Sequence, residues 1–328
     1  MSGKHIAAAF GAVGAALASF SAQAESWVLS GAAASFVDVS KLVRESVDER
    51  AVEHMRGTRE DGGSIWLDLK GATSESDTAV GGVMGWDNDI YAVNLGADIK
   101  KGDTFFGVVY TYANSDGDSS LHTPYSSYKA QTETDFFGVT IFGEQKFGSV
   151  GIFGSLGWLH ARGDVKYASA GGDLAAEIDD DMHGDVWTAD IGVRGTASFG
   201  ALSLVPYAKA ELTYLAPDNY AFGEPDNLRF YQFPVGVNAA WTFEAAGWEL
   251  TPVVDLAVIP TAGDTKAEGK YAGERYDESF YSDGTYWRAA LGISARGEHG
   301  VFGLSYRYLD GADGYKMHSF GARAEYVF

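Results

Sequence analysis

Cysteine is absent from the 328 residues, proline occurs only 7 times, and cations are scarce, with 24 Lys and Arg against 45 Asp and Glu for a net charge of -21. The missing thiols exclude a disulfide framework, a thiolate nucleophile and a cysteine-held metal. The missing cations argue against nucleic acid as a direct partner, since phosphate recognition needs clustered lysine and arginine. Long apolar runs are missing too: the one candidate, Ile6 to Phe20, is shorter than the roughly 20 residues a spanning helix needs. Its flanks, a lysine within Met1 to His5 and the small residues Ala22-Gln23-Ala24, have the pattern of an export signal removed after Ala24. No helical membrane span is expected in the mature chain.

What the chain has in quantity is glycine, at 42 residues, and aromatics, at 14%, in a period-two alternation. The last stretch shows it most clearly: Phe320, Ala322, Ala324, Tyr326 and Phe328 alternate with Gly321, Arg323, Glu325 and Val327. One face suits lipid and the other water. Eleven further segments alternate over lengths that cross a bilayer when tilted. The set runs Gly63–Lys70, Asp89–Ile99, Thr104–Ala113, Gln131–Lys146, Val150–His160, Gly184–Ser198, Ala201–Leu215, Leu228–Phe243, Trp248–Ile259, Gly284–Arg296, Val301–Leu309 and Lys316–Phe328. Short links (Lys100–Asp103, Phe147–Ser149, Phe199–Gly200, Glu244–Gly247, Gly297–Gly300) alternate with long ones (Gly71–Asn88, Asn114–Ala130, Ala161–His183, Ala216–Asn227, Pro260–Asp283). An even strand number with tight turns on one rim and long loops on the other predicts an all-β, 12-stranded antiparallel transmembrane barrel in an outer membrane.

The pleat assigns the faces. In Gly284–Arg296, Trp287, Ala289, Leu291, Ile293 and Ala295 face lipid, while Tyr286, Arg288 and Arg296 face inward. The same parity places Asp68, Lys70, Asp98, Asp190, Arg194, Lys209, Glu211, Asp255, Arg307, Arg323 and Glu325 in the lumen. A midplane Lys or Arg on the lipid face would cost about 2–4 kcal/mol, so this segregation itself points to a membrane wall. Val150–His160 is ambiguous, because Phe153 and Leu159 oppose Ile152, Leu156 and Trp158. Trp66, Trp86, Trp158, Trp187, Trp241, Trp248 and Trp287 lie near strand ends and are expected in interfacial girdles.

Before the first strand, the stretch from Val37 to Arg56 contains no glycine or proline and places Val39, Val43 and Val47 at helical spacing. Lys41, Arg44, Glu45, Asp48, Glu49, Arg50, Glu53 and Arg56 surround that stripe. At about 1.5 Å per residue the helix is roughly 30 Å long, the depth of a membrane core. Its charges forbid lipid contact, leaving a water-filled lumen or the surface beneath the barrel.

With the entry strand SIWLDLKG, the pattern IYAVNLGADI followed by KKGD, and the aromatic terminus Phe328, the chain from Ser26 onward resembles the translocator domain of type V secretion autotransporters. That resemblance implies a helix threaded through the pore. It also implies a barrel that helps move an attached amino-terminal passenger to the cell surface, and insertion aided by periplasmic chaperones and barrel-assembly machinery recognising Tyr326 and Phe328. The expected organisation is a signal over 1–24, a short surface stub over 25–36 in place of a passenger, the pore helix over 37–56 and the barrel over 57–328. The helix contains no asparagine, so the family's self-cleavage within the pore is not expected. Arg288, Arg296, Arg307 and Arg323 are expected to face Glu45, Asp48, Glu49 and Glu53, with Asp68, Asp190 and Asp255 available to Arg44 and Arg50. The competing reading is a free-standing porin-like or adhesin-like surface barrel acting through long acidic loops.

Catalysis, cofactors and metals are not expected. The histidines sit on scattered segments, and His183 between Asp181 and Asp185 is a chance neighbourhood in so acidic a chain. Asp179-Asp180-Asp181 and Asp116-Gly117-Asp118 lack the ligand spacing of a calcium loop. The expected partners are outer-membrane lipid and lipopolysaccharide around a monomeric barrel.

Overall fold

Each alternating segment forms a strand. A computed structural model describes residues 33–57, 61–76, 83–122, 127–170, 177–218, 224–264, 266–271, 274–279, 284–311 and 314–328. The helix α1 covers residues 33–56. The wall comprises β1 (Gly62–Ser76), β2 (Val83–Lys101), β3 (Thr104–His122), β4 (Ser127–Phe147), β5 (Val150–Ala170), β6 (Glu177–Gly195), β7 (Leu202–Pro217), β8 (Leu228–Gln232 and Val235–Trp241), β9 (Trp248–Gly263), β10 (Thr285–Arg296), β11 (Gly300–Asp310) and β12 (Lys316–Val327). Every pairing is antiparallel between consecutive strands. β12 returns to β1 in continuous register from Ser64↔Val327 to Glu75↔Lys316, which closes the barrel. No edge strand is left in the wall, as a hydrocarbon surround demands.

The tight rim follows from turn chemistry. Gly102, Gly148 and Gly200 each occupy the first central position of a two-residue hairpin loop at φ +59°, +66° and +64°. That is the type II′ turn, whose twist matches the strands it joins. Ala246-Gly247 has φ of +51° and +80°, the paired positive values of type I′. On the opposite rim, strands continue further than the sequence suggests: β2 to β6 run 19 to 21 residues, so part of each expected long link is wall. Alternation lapses there because a strand beyond the lipid is wet on its outer face and carries Asp87, Asp116, Asp118 and Asp164. β10 to β12 have only 11 or 12 residues, so the wall is taller on one side. A separate three-stranded sheet joins Glu224–Pro225, Lys266–Tyr271 and Glu274–Ser279. β8 is interrupted at Pro234, which has no N–H to give the ladder. The Pro234 carbonyl still accepts the Lys209 N–H at 2.9 Å, and the register is unchanged across the break.

Burial alternates as the pleat requires. Ile65, Leu67 and Leu69 face out, while Ser64, Asp68 and Lys70 are buried inside. The ambiguous strand is resolved: Phe153 and Leu159 are inside, and Ile152 and Leu156 outside. Phe153 is tolerated in a polar lumen because the Arg194 guanidinium lies 3.7 Å over its ring. The girdle expectation fails for two tryptophans. Trp66 and Trp86 are buried on the lumen side, since Trp66 shares the parity of Asp68. Trp66 covers Gly96 so closely that a Cβ there would lie 2.1 Å from its ring. Trp187, Trp241, Trp248 and Trp287 are exposed on the outer face.

Residues 33–36, ahead of the expected Val37, are helical as well. The helix ends at Gly57, whose φ of +72° and N–H to the His54 carbonyl at 3.0 Å close the last turn. Among the described residues no helix is long and apolar enough to cross a membrane. The signal over 1–24 and the stub from Glu25 to residue 32 lie outside the described residues.

Candidate functional site: the charged lumen around the helix

α1 occupies the lumen along its whole length. At the long-link rim Ser35 Oγ donates to Asn88 Oδ1 at 3.1 Å, and Phe36 meets Phe136 edge-on at 5.2 Å. At the turn rim Lys146 Nζ donates to the Met55 carbonyl at 3.3 Å. Val39, Val43 and Val47 are buried, as are Lys41, Arg44, Glu45, Arg50 and Glu53. A helix charged on most of its circumference is stable there only because the wall answers each charge.

Arg50 is the most enclosed of these groups. Its Nε and Nη2 donate to Asp98 Oδ2 at 3.0 and 2.8 Å, Nη1 to Glu325 Oε2 at 2.6 Å, and Nη2 to Ser64 Oγ at 3.0 Å. Trp66 lies beside the guanidinium at 5.7 Å and donates its indole N–H to the same Asp98 oxygen at 2.9 Å. One turn on, His54 Nδ1 lies 2.8 Å from Glu144 Oε1 and the ring stacks on Phe105 at 5.0 Å. Toward the long-link rim, Arg44 donates through Nε to Asp190 at 2.8 Å, through Nη1 to Thr213 at 2.8 Å and through Nη2 to the Leu212 carbonyl at 2.6 Å.

The acidic face of the helix meets cations. Glu45 takes Arg307 at 2.9 Å, and Ser319 Oγ donates to it at 3.2 Å. Asp48 takes Arg194 at 2.8 Å together with Lys209. Glu49 takes Lys70 at 2.9 Å, with Arg307 and Arg323 each at 3.8 Å. Glu53 bonds Arg323. Glu45, Glu49 and Glu53 recur every fourth residue and so form one stripe. It is this stripe that faces β1, β11 and β12.

Of the expected pairings, the structure brings Arg307 and Arg323 to the acidic stripe and Asp190 to Arg44. Others differ. Arg288 stays on the wall, where Asp255 at 3.2 Å and Tyr207 take its donors. Arg296 sits at the turn rim, 3.9 Å from Glu249, below the helix's acidic residues. Asp68 serves Ser46 at 2.5 Å and Lys70 at 3.5 Å instead of an arginine. Asp255 is taken by Arg288 and Tyr207, so neither Arg44 nor Arg50 uses it. Lys41 turns to Asp38 at 3.1 Å and the Tyr315 hydroxyl at 3.0 Å, and Arg56 reaches Asn238. Glu144 and Tyr315 join the site without having been expected there. Lumen parity within β4 marks Glu144, whereas nothing local marks Tyr315, which precedes its strand.

Outside the wall, Asp185 engages His160 at 3.0 Å, and His183 stacks parallel to His160 at 6.5 Å. Asp118 accepts from Gln131 at 3.0 Å. Among the described residues no three acidic or histidine side chains are placed to share a metal ion. At the carboxyl terminus Tyr326 and Phe328 are both exposed on the lipid face, their rings 6.4 Å apart. The Phe328 backbone exchanges two hydrogen bonds of 3.0 Å with Gly63.

A family model described as the autotransporter beta-domain matches residues 65–307. Comparison with curated proteins found no match in sequence. Among solved structures, the transport unit of the autotransporter AIDA-I from Escherichia coli is similar at a TM-score of 0.62 and 17% identity, over 81% of this chain and 90% of that one. The beta domain of the Bordetella autotransporter BrkA is similar at 0.59 and 16% identity, over 82% and 100%. The translocator domain of NalP from Neisseria meningitidis reaches 0.50 and 13%, over 88% and 98%. At such identities these three speak for the fold, and the family match covers most of the wall. A closed twelve-stranded barrel with an amino-terminal helix in its lumen, matched by that model over most of its length, belongs to the autotransporter beta-domain family and is an outer-membrane translocator barrel.

Proposed function

We propose that the barrel helps to export a polypeptide joined to the amino-terminal side of α1, and that the seated helix is the anchor and plug left when export is complete. The observation that carries this reading is the direction of α1. Its first turns lie at the long-link rim beside Asn88 and its last at the turn rim beside Lys146. In an outer membrane the tight turns face the periplasm, so chain preceding the helix lies on the cell-surface side. Lipid and lipopolysaccharide surround the outer face in this reading. Residues 1–24 act as the cleaved export signal, periplasmic chaperones carry the unfolded chain, and barrel-assembly machinery reads the β12 terminus at Tyr326 and Phe328.

The test places an epitope between Ala24 and Ala33 and asks whether it reaches the surface of intact cells. Protease accessibility with the wild-type helix, lost when β12 is truncated before Tyr326, is the expected result. An epitope that stays periplasmic while the barrel is folded in the membrane would refute the reading and leave the surface-loop role.

A further inference from the structure

The helix does not fill the lumen evenly. On one side it lies against large inward side chains, among them Trp66, Phe105, Phe142 and Phe153. On the other side β10 to β12 present Gly292, Ser294, Gly303, Ser305 and Gly321, and a cavity of about 100 Å³ remains. A second cavity of about 30 Å³ lies toward the long-link rim, bounded by Lys41, Ile259 and Met317. Asp48, Arg288 and Arg307 line both. A cavity needs about 10–15 Å³ to hold a water, so each is large enough to be wet.

The charges along this slit are not balanced in their bonding. Asp48 is held by Arg194 and Lys209, Glu49 by Lys70, Glu53 by Arg323, and Asp255 by Arg288 and Tyr207. Every carboxylate named is therefore engaged. On the cationic side, the Nε atoms of Arg56, Arg194, Arg307 and Arg323 are buried without a hydrogen-bond partner among the described residues. All four arginines line the larger cavity. Spent acceptors and spare donors favour negative charge, and in a confined site of low dielectric that preference is amplified.

We infer that the slit between α1 and strands β10 to β12 is a path for small inorganic anions past the seated helix, with Arg288 and Arg307 at its constriction. The path rests on the reading of α1 as a lumen plug. Arg288 has its bonds to Asp255 and Tyr207 on the wall, so its removal alters the path while leaving the helix's own ion pairs in place. It also removes the Arg288 cation from Asp255, whose charge then repels anions.

The experiment uses the refolded full chain in a planar bilayer under a potassium chloride gradient, beside Arg288→Gln and a chain lacking residues 37–56. Heat-modifiable gel mobility checks that each variant is folded. The full chain is expected to pass a small current whose reversal potential lies on the chloride side. Arg288→Gln is expected to shift that potential to zero or to the potassium side. A wild-type reversal at zero or on the potassium side overturns the inference, as does a potential unmoved in Arg288→Gln or the absence of current from the full chain. The helix-free barrel separates the two ideas: a large current from it preserves the plug reading when the anion path fails, and no increase means that the plug reading fails as well.

Discussion

Among single side chains, Arg50 shows what the lumen demands of a charge. It is fully buried, and Asp98 and Glu325 are buried with it. Removing one member of such a cluster leaves like charges in low dielectric, typically costing about 3–5 kcal/mol. Arg50→Met is therefore expected to unseat the lower helix. The bilayer current of the full chain should rise toward that of the helix-free barrel; an unchanged current would mean that the cluster does not hold the plug. Gly96 sets a complementary limit, because Trp66 occupies the space a side chain would need. Overpacking of this kind costs about 1–3 kcal/mol, so Gly96→Val should lower the denaturant midpoint of the micelle-refolded protein, and equal midpoints would refute the contact.

Between elements, Asp61 ties the segment leaving the helix to the first turn of the wall. Both its oxygens lie 3.0 Å from the Gly102 N–H, and Lys100 Nζ lies at 3.1 Å. The Gly102 N–H and then Lys100 hold the carboxyl below its ordinary range. The ionised form is favoured on folding, so the clasp contributes above the ordinary carboxylate pKa and is lost as pH falls through the lowered one. The Gly102 amide resonance should titrate in that acidic window in wild type and stay fixed in Asp61→Asn. Two identical profiles would exclude the clasp. The strands and turns were legible because period-two alternation and turn glycines are local signals. The helix was legible as a helix, yet its partners were only half readable. Parity says that Arg288 faces inward, but not that Asp255 and Tyr207 on neighbouring strands take its donors. Trp66 was misplaced for the same kind of reason: position near a strand end suggested a girdle, while parity with Asp68 decided the matter.

For the barrel taken entire, everything depends on the seam. β1 and β12 pair as continuously as any internal neighbours. Because the chain contains no cysteine, the seam can be probed with a single engineered pair. Leu69 and Ala322 are direct partners on the lipid face, within the Cα separation a disulfide accepts. Leu69→Cys with Ala322→Cys is expected to crosslink on oxidation and give a band of altered mobility on a non-reducing gel. Failure to crosslink in folded protein would mean an open wall. The backbone bonds between Phe328 and Gly63 place the final residue within this closure.

That closure has a mechanical consequence. The ring is completed by β12, yet it surrounds a segment that precedes β1, and the seam is closed by non-covalent contacts. In the proposed export role the helix would therefore enter endwise without any covalent change, like a thread through a bead. What limits the motion is girth: a single helix fits the lumen, whereas a folded globule on the amino-terminal side of α1 would stop the thread.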